Sequence, residues 1–270
     1  MPAIDTIASF QTTVGSTLAA GVMATGDSAT IRNFPQPGNA KLIAAMYDDV
    51  TAPAVWRVRS PLLHDNVRGI QFWPGIAGAQ ELLLPTRYTQ SLKAQDTLTF
   101  EFTTAATTGK ALGALSVYYS SLPGASARLH LPGDIGGLIK NIKPLVVTIP
   151  SGANTAGQWY DALWTLTENL LHANTDYAVL GFTVDAAVAA IAVKGIDTGN
   201  LRVAGPGTLS NHLTIDWFVR LSEHTGMPCI PVVNSANAGG AYVSIISSAA
   251  TAAACDVTLI LAELSQNLPN

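Results

Sequence analysis

Apolar and polar positions alternate with a period of two along much of this chain. Leu98, Phe100 and Phe102 bracket Thr99 and Glu101, the pattern of a strand with one face in a core and the other in water. Strands of similar texture read at Ala29–Phe34, Lys41–Tyr47, Ala54–Arg59, Gly69–Trp73, Tyr88–Leu92, Thr97–Thr104 and Ala114–Ser120. Turn formers such as Pro35-Gln36-Pro37-Gly38, Asp48-Asp49 and Pro74-Gly75 punctuate them. A second series follows at Leu145–Ile149, Tyr177–Thr183, Ala187–Val193, Asn200–Val203, Leu213–Leu221, Cys229–Val233, Ala241–Ser247 and Asp256–Ala262. Turn signals return every ~8–15 residues, the rhythm of a sandwich or barrel and not of βαβ units.

Two stretches follow a helical spacing instead. Ile4, Ile7, Phe10, Val14, Leu18 and Val22 recur every three or four residues, although Thr12, Thr13, Gly15, Ser16 and Thr17 are poor helix formers. A short amphipathic helix and an extended arm both fit, and an ordinary first strand with a flexible lead-in is the plainer alternative. Trp159, Leu163, Leu166 and Leu170 predict a helix over 158–172, with a strand pair around Trp164 as the alternative.

The two strand series also match each other in order. Leu42–Tyr47 corresponds to Tyr177–Phe182 and Ala54–Arg59 to Ala189–Lys194, both at an offset of 135, half of the 270 residues. Arg87–Leu92 then pairs with Asp216–Leu221, Leu98–Phe102 with Tyr242–Ile246, and Leu115–Tyr119 with Val257–Leu261. These offsets lie between 129 (216 − 87) and 144 (242 − 98), as loops of unequal length produce. An internal duplication of a β-domain is the reading. It divides the chain into an N-terminal arm or short helix (1–26), a first β-barrel (27–122), a linker (123–144) and a second β-barrel (145–270). The expected class is all-β: two tandem, similar, jelly-roll-like sandwich or barrel domains with short helices at the N-terminus and near 158–172.

Composition changes the picture in one respect. Charged residues make up 12% of the chain, against about 25% in an average soluble domain. Protein interface cores are depleted of charge in the same way. With 18 acidic and 14 scattered basic residues, of which Arg57, Arg59 and Arg68 come nearest to a group, there is no dense basic stripe of the kind that binds nucleic acid directly. No secretory signal reads at the N-terminus, and no run of 18 apolar residues reads as a membrane span.

Catalytic chemistry finds little support. The phosphate-binding loop, Gly-x-Ser-x-Gly, His-Glu-x-x-His and paired-cysteine zinc spacings are all missing. His64, His130, His172, His212 and His224 have no ligand spacing, and Asp48-Asp49 and Asp185 read as solvated turns more readily than as a cation site. Cys229 and Cys255 read as buried thiols, with pairing across adjacent strands left open. Trp73, next to Pro74, is the one candidate for a sugar-binding platform; the other tryptophans sit in core patterns. No residue is assigned a catalytic, cofactor-binding or metal-ligating role, and the chain reads as a building block.

Two strand-rich halves, at about 27–122 and 145–264, with a low-charge surface resemble the double jelly-roll major capsid proteins of icosahedral viruses, including membrane-containing bacteriophages. The resemblance is architectural. It implies a homotrimer whose six barrels form a pseudo-hexagonal tile, self-assembly by lateral trimer–trimer contacts, and location in the virion. It also implies contact with other capsid proteins, and a membrane-facing or neighbour-clamping role for Ile4–Val22. The chain departs from that family in being short, with small loops. A spike, fibre or decoration protein and a lectin-like β-sandwich binding module are the alternatives.

Overall fold

The computed structural model describes residues 1–12, 19–20, 22–23, 26, 29–35, 40–49, 54–62, 69–72, 91–104, 110–164, 171–186, 188–207 and 211–269. In the first half, β1 (Ala3–Gln11), β2 (Ala19–Ala20), β3 (Val22–Met23), β4 (Ala40–Asp49), β5 (Ala54–Arg59), β6 (Ile70–Phe72), β7 (Ser91–Leu92), β8 (Thr99–Thr104) and β9 (Ala111–Tyr119) form two antiparallel sheets. Their orders are β3-β1-β9-β4-β7 and β2-β8-β5-β6.

The second half repeats the plan. It contains β10 (Leu129–His130), β11 (Ile139–Ile149), β12 (Tyr160–Leu163), β13 (Asp176–Val184), β14 (Ala190–Lys194), β15 (Val203–Pro206), β16 (Ile230–Asn234), β17 (Tyr242–Ile246) and β18 (Cys255–Leu264). The sheets run β10-β16-β13-β18-β11 and β12-β17-β14-β15. Setting aside β3 and β10, strands one to eight of each half are ordered 1-8-3-6 in one sheet and 2-7-4-5 in the other. That is the jelly-roll order, and it occurs twice.

Four of the five matches read in the sequence land on equivalent strands: β4 with β13, β5 with β14, β8 with β17 and β9 with β18; the match of Arg87–Leu92 with Asp216–Leu221 fails, since β7 is equivalent to β16 and residues 217–221 are helical. For β5 and β14 the offset of 135 keeps the faces matched, since Trp56 and Val58 and their counterparts Ile191 and Val193 all point inward; for β4 and β13 the bulges at Ile43 and Leu180 set the offset at 137 (180 − 43) instead of 135. For β8 and β17 the sequence match slips by one residue. Phe100 and Phe102 occupy the inward places of Val243 and Ile245, an offset of 143 (243 − 100). A one-residue slip turns every side chain to the opposite face, so the core decides between 143 and 144. β4 and β13 each carry a bulge against the last strand of their roll, at Ile43 and at Leu180.

Each roll closes around large side chains. In the first, the Trp56 ring lies 6.0 Å from Phe100, 6.1 Å from Tyr47 and 6.3 Å from Phe102. In the second, Phe182 meets Phe218 edge-on at 6.1 Å.

Four expectations are corrected. Residues 3–11, expected as a helix or arm, are strand β1, hydrogen-bonded to β9 from Ala3↔Tyr119 to Gln11↔Ala111, so the first roll begins well before residue 27. Eight of its nine residues are buried, because one face lines the first roll and the other lies against the second half. A strand covered on both sides loses its alternation, and the three-and-four spacing of Ile4, Ile7 and Phe10 is coincidental. Ile4 is 0% exposed, Ile7 3% and Phe10 8%, so these three side chains face other parts of the same chain; Val14 and Leu18 of the same stripe lie outside the described residues.

The helix expected over 158–172 is strand β12 at its start, paired with β17, and Leu163 of the presumed apolar stripe is 52% exposed; 165–170 lie outside the described residues. The presumed linker contains β10, the short helix α1 (Pro132–Ile135) and the first half of β11.

Finally, the strand expected at Leu213–Leu221 is helical: α2 (Asn211–Thr214) and α3 (Trp217–Thr225). Leu213, Ile215, Trp217 and Val219 alternate with Thr214 and Asp216 and so imitate a strand. The buried set is Trp217, Phe218, Leu221, Ser222 and Thr225, which is a helical stripe. Gly226, at φ +68°, ends α3 in the left-handed conformation, its N–H donating to the Ser222 carbonyl.

Candidate assembly interface

Outward-facing residues of β1, β4 and β9 meet outward-facing residues of β14, β15 and β17. Ala8, Phe10, Met46, Leu112 and Ala114 of the first roll pack with Ala189, Ala190, Ala192, Ala204 and Ile246 of the second in a cluster separate from the main core. β15 lies directly against β1 and β4. Six of these ten side chains are alanine methyls, so two sheets approach closely with little side-chain entropy to lose.

Polar groups close the rim of this contact. The Thr6 hydroxyl donates to the Arg202 carbonyl at 2.9 Å and lies 2.9 Å from the Ser116 hydroxyl. The Asp48 carboxylate accepts both the Ser248 backbone N–H (2.7 Å) and its hydroxyl (2.8 Å). On the second roll the Arg202 guanidinium stands 5.0 Å from the centre of the Trp159 ring. Asp161 accepts from Lys194 Nζ and from Ser244 Oγ, each at 2.6 Å, and faces Arg202 Nη2 at 3.4 Å. Burial opposes the charge of Asp161, but these hydrogen bonds and the two cations outweigh it and hold the carboxyl below its ordinary range.

The contact joins unlike surfaces. The first roll offers the sheet that contains its first strand, and the second offers the sheet that does not. Such a contact is heterologous, and the other sheet of each roll takes no part in it.

The residues weighed for chemistry are dispersed. Asp48 serves the rim just described, and Asp185 accepts the Asp256 backbone N–H at 2.8 Å, so both carboxylates satisfy backbone at strand ends. His172 bonds Glu263 at 3.0 Å, and His130 is held below its usual pKa first by burial and then by Arg128. His212 and His224 lie on α2 and α3, whereas His64 and Trp73 lie outside the described residues. Cys229 and Cys255 are buried and free, and burial pushes the Cys229 thiol up to about 12 and the Cys255 thiol to about 11. Among the described residues no three His, Cys, Asp or Glu side chains cluster as metal ligands.

The sequence missed the interface itself. Its one trace in the sequence is the run of small residues around Ala189–Ala192.

No family model and no curated protein sequence matches this chain. Among solved structures, the STIV major capsid protein is similar over 98% of this chain and 97% of its own, at 9% sequence identity and a TM-score of 0.22. At that score the superposition carries no argument, and the jelly-roll assignment here stands on strand order.

Proposed function

We propose that this chain is the major subunit of a virus capsid, assembling as pseudo-hexameric trimers into an icosahedral shell and residing in the virion. The observation that supports this best is the pair of jelly rolls of identical strand order joined through unlike faces. A heterologous contact can be repeated between copies, closing into a ring when the rotation permits. Two barrels per chain let three chains supply six similar units to a hexagonal lattice site. The low charge of 12% fits a molecule whose surface is largely covered by its neighbours. Its work is then binding between copies, driven by burial of apolar area and limited by the cost of ordering subunits. Other proteins of the particle would meet its outer or inner end.

The test is the mass of the purified protein, followed by negative-stain microscopy across salt and pH. Trimers near 84 kDa, three chains of 28.1 kDa, that grow into sheets or shells are expected. A monomer that never assembles overturns the reading and directs attention to a sugar-binding or spike role.

A further inference from the structure

The duplication permits a residue-by-residue comparison of a covered face with its uncovered twin. The bulges align the two rolls. Ser116 lies opposite Ala44, just past the first bulge, and Ile260 opposite Gly181, just past the second. Ser116 also pairs with Thr6, and Ile260 with Pro144. Thr6, Ala8 and Phe10 of β1 are therefore equivalent to Pro144, Val146 and Thr148 of β11. The former three are buried by the second roll, while the latter three are exposed, Val146 by 46%, and Ile142 beside them by 53%. An apolar strand face that is covered in one copy of the repeat thus stands open in the other.

The complementary face is located the same way. Ala192 pairs with both Ala204 and Ser244, and its equivalent Arg57 pairs with Gln71 and Glu101. The outward face of β5, β6 and β8, with Val55, Arg57, Arg59, Gln71 and Glu101, is the twin of the alanine face that receives β1.

Both surfaces carry charge. On the outward face of β5, β6 and β8, Arg57 and Arg59 both bind Glu101. At the end of the open β11–β18 face stand Asp256, which accepts the Thr148 hydroxyl at 2.5 Å, and Asp185.

We infer that the open face of β11 and β18, centred on Pro144, Val146 and Ile260, docks on the outward face of β5, β6 and β8 of a second copy of this chain, repeating between molecules the contact made within one. The inference rests on the assembly reading above and adds the surfaces that carry it. The contact inside the chain is an alanine seam; the one between chains combines apolar residues with paired charges. Screening by salt then weakens the second and spares the first.

Two variants test it. Val146→Arg places a charge at the centre of the open face, on a residue that is not in the core. It is expected to keep the wild-type circular dichroism while the solution mass falls from the trimer to one chain, the thermal midpoint dropping only by the stabilisation that assembly adds. Val146→Cys combined with Gln71→Cys occupies the positions equivalent to Ala8 and Ala204, where β15 lies against β1. Both native cysteines are buried, so oxidation is expected to link different chains, in a ladder on a non-reducing gel that stops at three. If wild type assembles while V146R assembles equally and the cysteine pair gives no linked species, these surfaces are wrong and the shell reading survives. If wild type remains monomeric at every salt and concentration, the shell reading fails and this inference fails with it.

Discussion

Phe10 and Gly157 meet at the seam between the two rolls, and together they test whether that seam is packed as described. A Cβ added to Gly157 would lie 2.3 Å from Cγ and Cδ1 of Phe10 and 2.6 Å from its Cβ. Gly157 also has φ +72° and is fixed by its N–H donating to the Ser247 carbonyl at 2.9 Å. A buried phenylalanine removes roughly 150–200 Å² from water, about 4 kcal/mol at ~25 cal/mol per Å². Phe10 is at the edge of its cluster, 8% exposed, so Phe10→Ala is expected near the low end of the usual range, about 3 kcal/mol. Gly157→Ala should cost about 1 kcal/mol for the left-handed backbone and about 1–3 kcal/mol more for the clash with Phe10. In the Phe10→Ala background the two contacts at 2.3 Å disappear, while the contact at 2.6 Å with the Cβ of residue 10 and the backbone part remain. The double-mutant cycle, measured by urea unfolding, should therefore give a coupling of about 1–2 kcal/mol, the double variant being more stable than the sum of the singles. Additive costs within ~0.5 kcal/mol, or a Phe10→Ala cost below ~1 kcal/mol, would refute the seam.

Further outcomes follow from the second roll. Arg128 and Asp176 are 7% and 0% exposed and bond in parallel, Nη1 to Oδ1 at 3.0 Å and Nη2 to Oδ2 at 2.5 Å, while Arg128 also donates to the Leu268 carbonyl. Asp176→Asn should cost about 3–5 kcal/mol in urea unfolding by stranding the guanidinium; Arg128→Met with Asp176→Leu should cost less. Glu263 is nearly buried; burial opposes its charge, yet hydrogen bonds from Lys143, His172 and Lys140 hold its pKa down to about 2. Its stabilisation is full above the unfolded value of 4.5 and is lost as pH falls from there towards 2, so the thermal midpoint should drop across that window and drop less in Glu263→Gln. A Cβ at Gly205 would lie 2.5 Å from the Trp217 indole, and Gly205→Ala should cost about 1–3 kcal/mol with an altered near-ultraviolet tryptophan signal. An unchanged signal and urea midpoint would mean that α3 does not pack there.

The legible parts of this chain were those where local pattern and tertiary environment agree. Strands with one face in a roll and the other near solvent, such as β8 with Phe100 and Phe102 inward, display their period in the sequence. Two such series in the same order disclosed the duplication, and with it the all-β class. Pattern failed where a second surface intervened. β1 is buried by its own roll on one side and by the other roll on the opposite side, which erases alternation and leaves a false helical stripe. At Leu213–Leu221 an accidental alternation concealed a helix, because the packing of Trp217, Phe218 and Leu221 against the second roll outweighed it. The one-residue slip between β8 and β17 was invisible for a related reason: Tyr242 and Ile246 on one face are as apolar as Val243 and Ile245 on the other, and only the choice of core face separates them. The candidate interface left only a faint trace in the sequence, the small residues around Ala189–Ala192. Alanine is ambiguous between core, surface and seam, and Val146 reads like any strand residue until its twin Ala8 is seen to be covered. Local chemistry thus determined what the two units are, whereas the way they face each other was decided by which sheets could approach closely enough to exclude water.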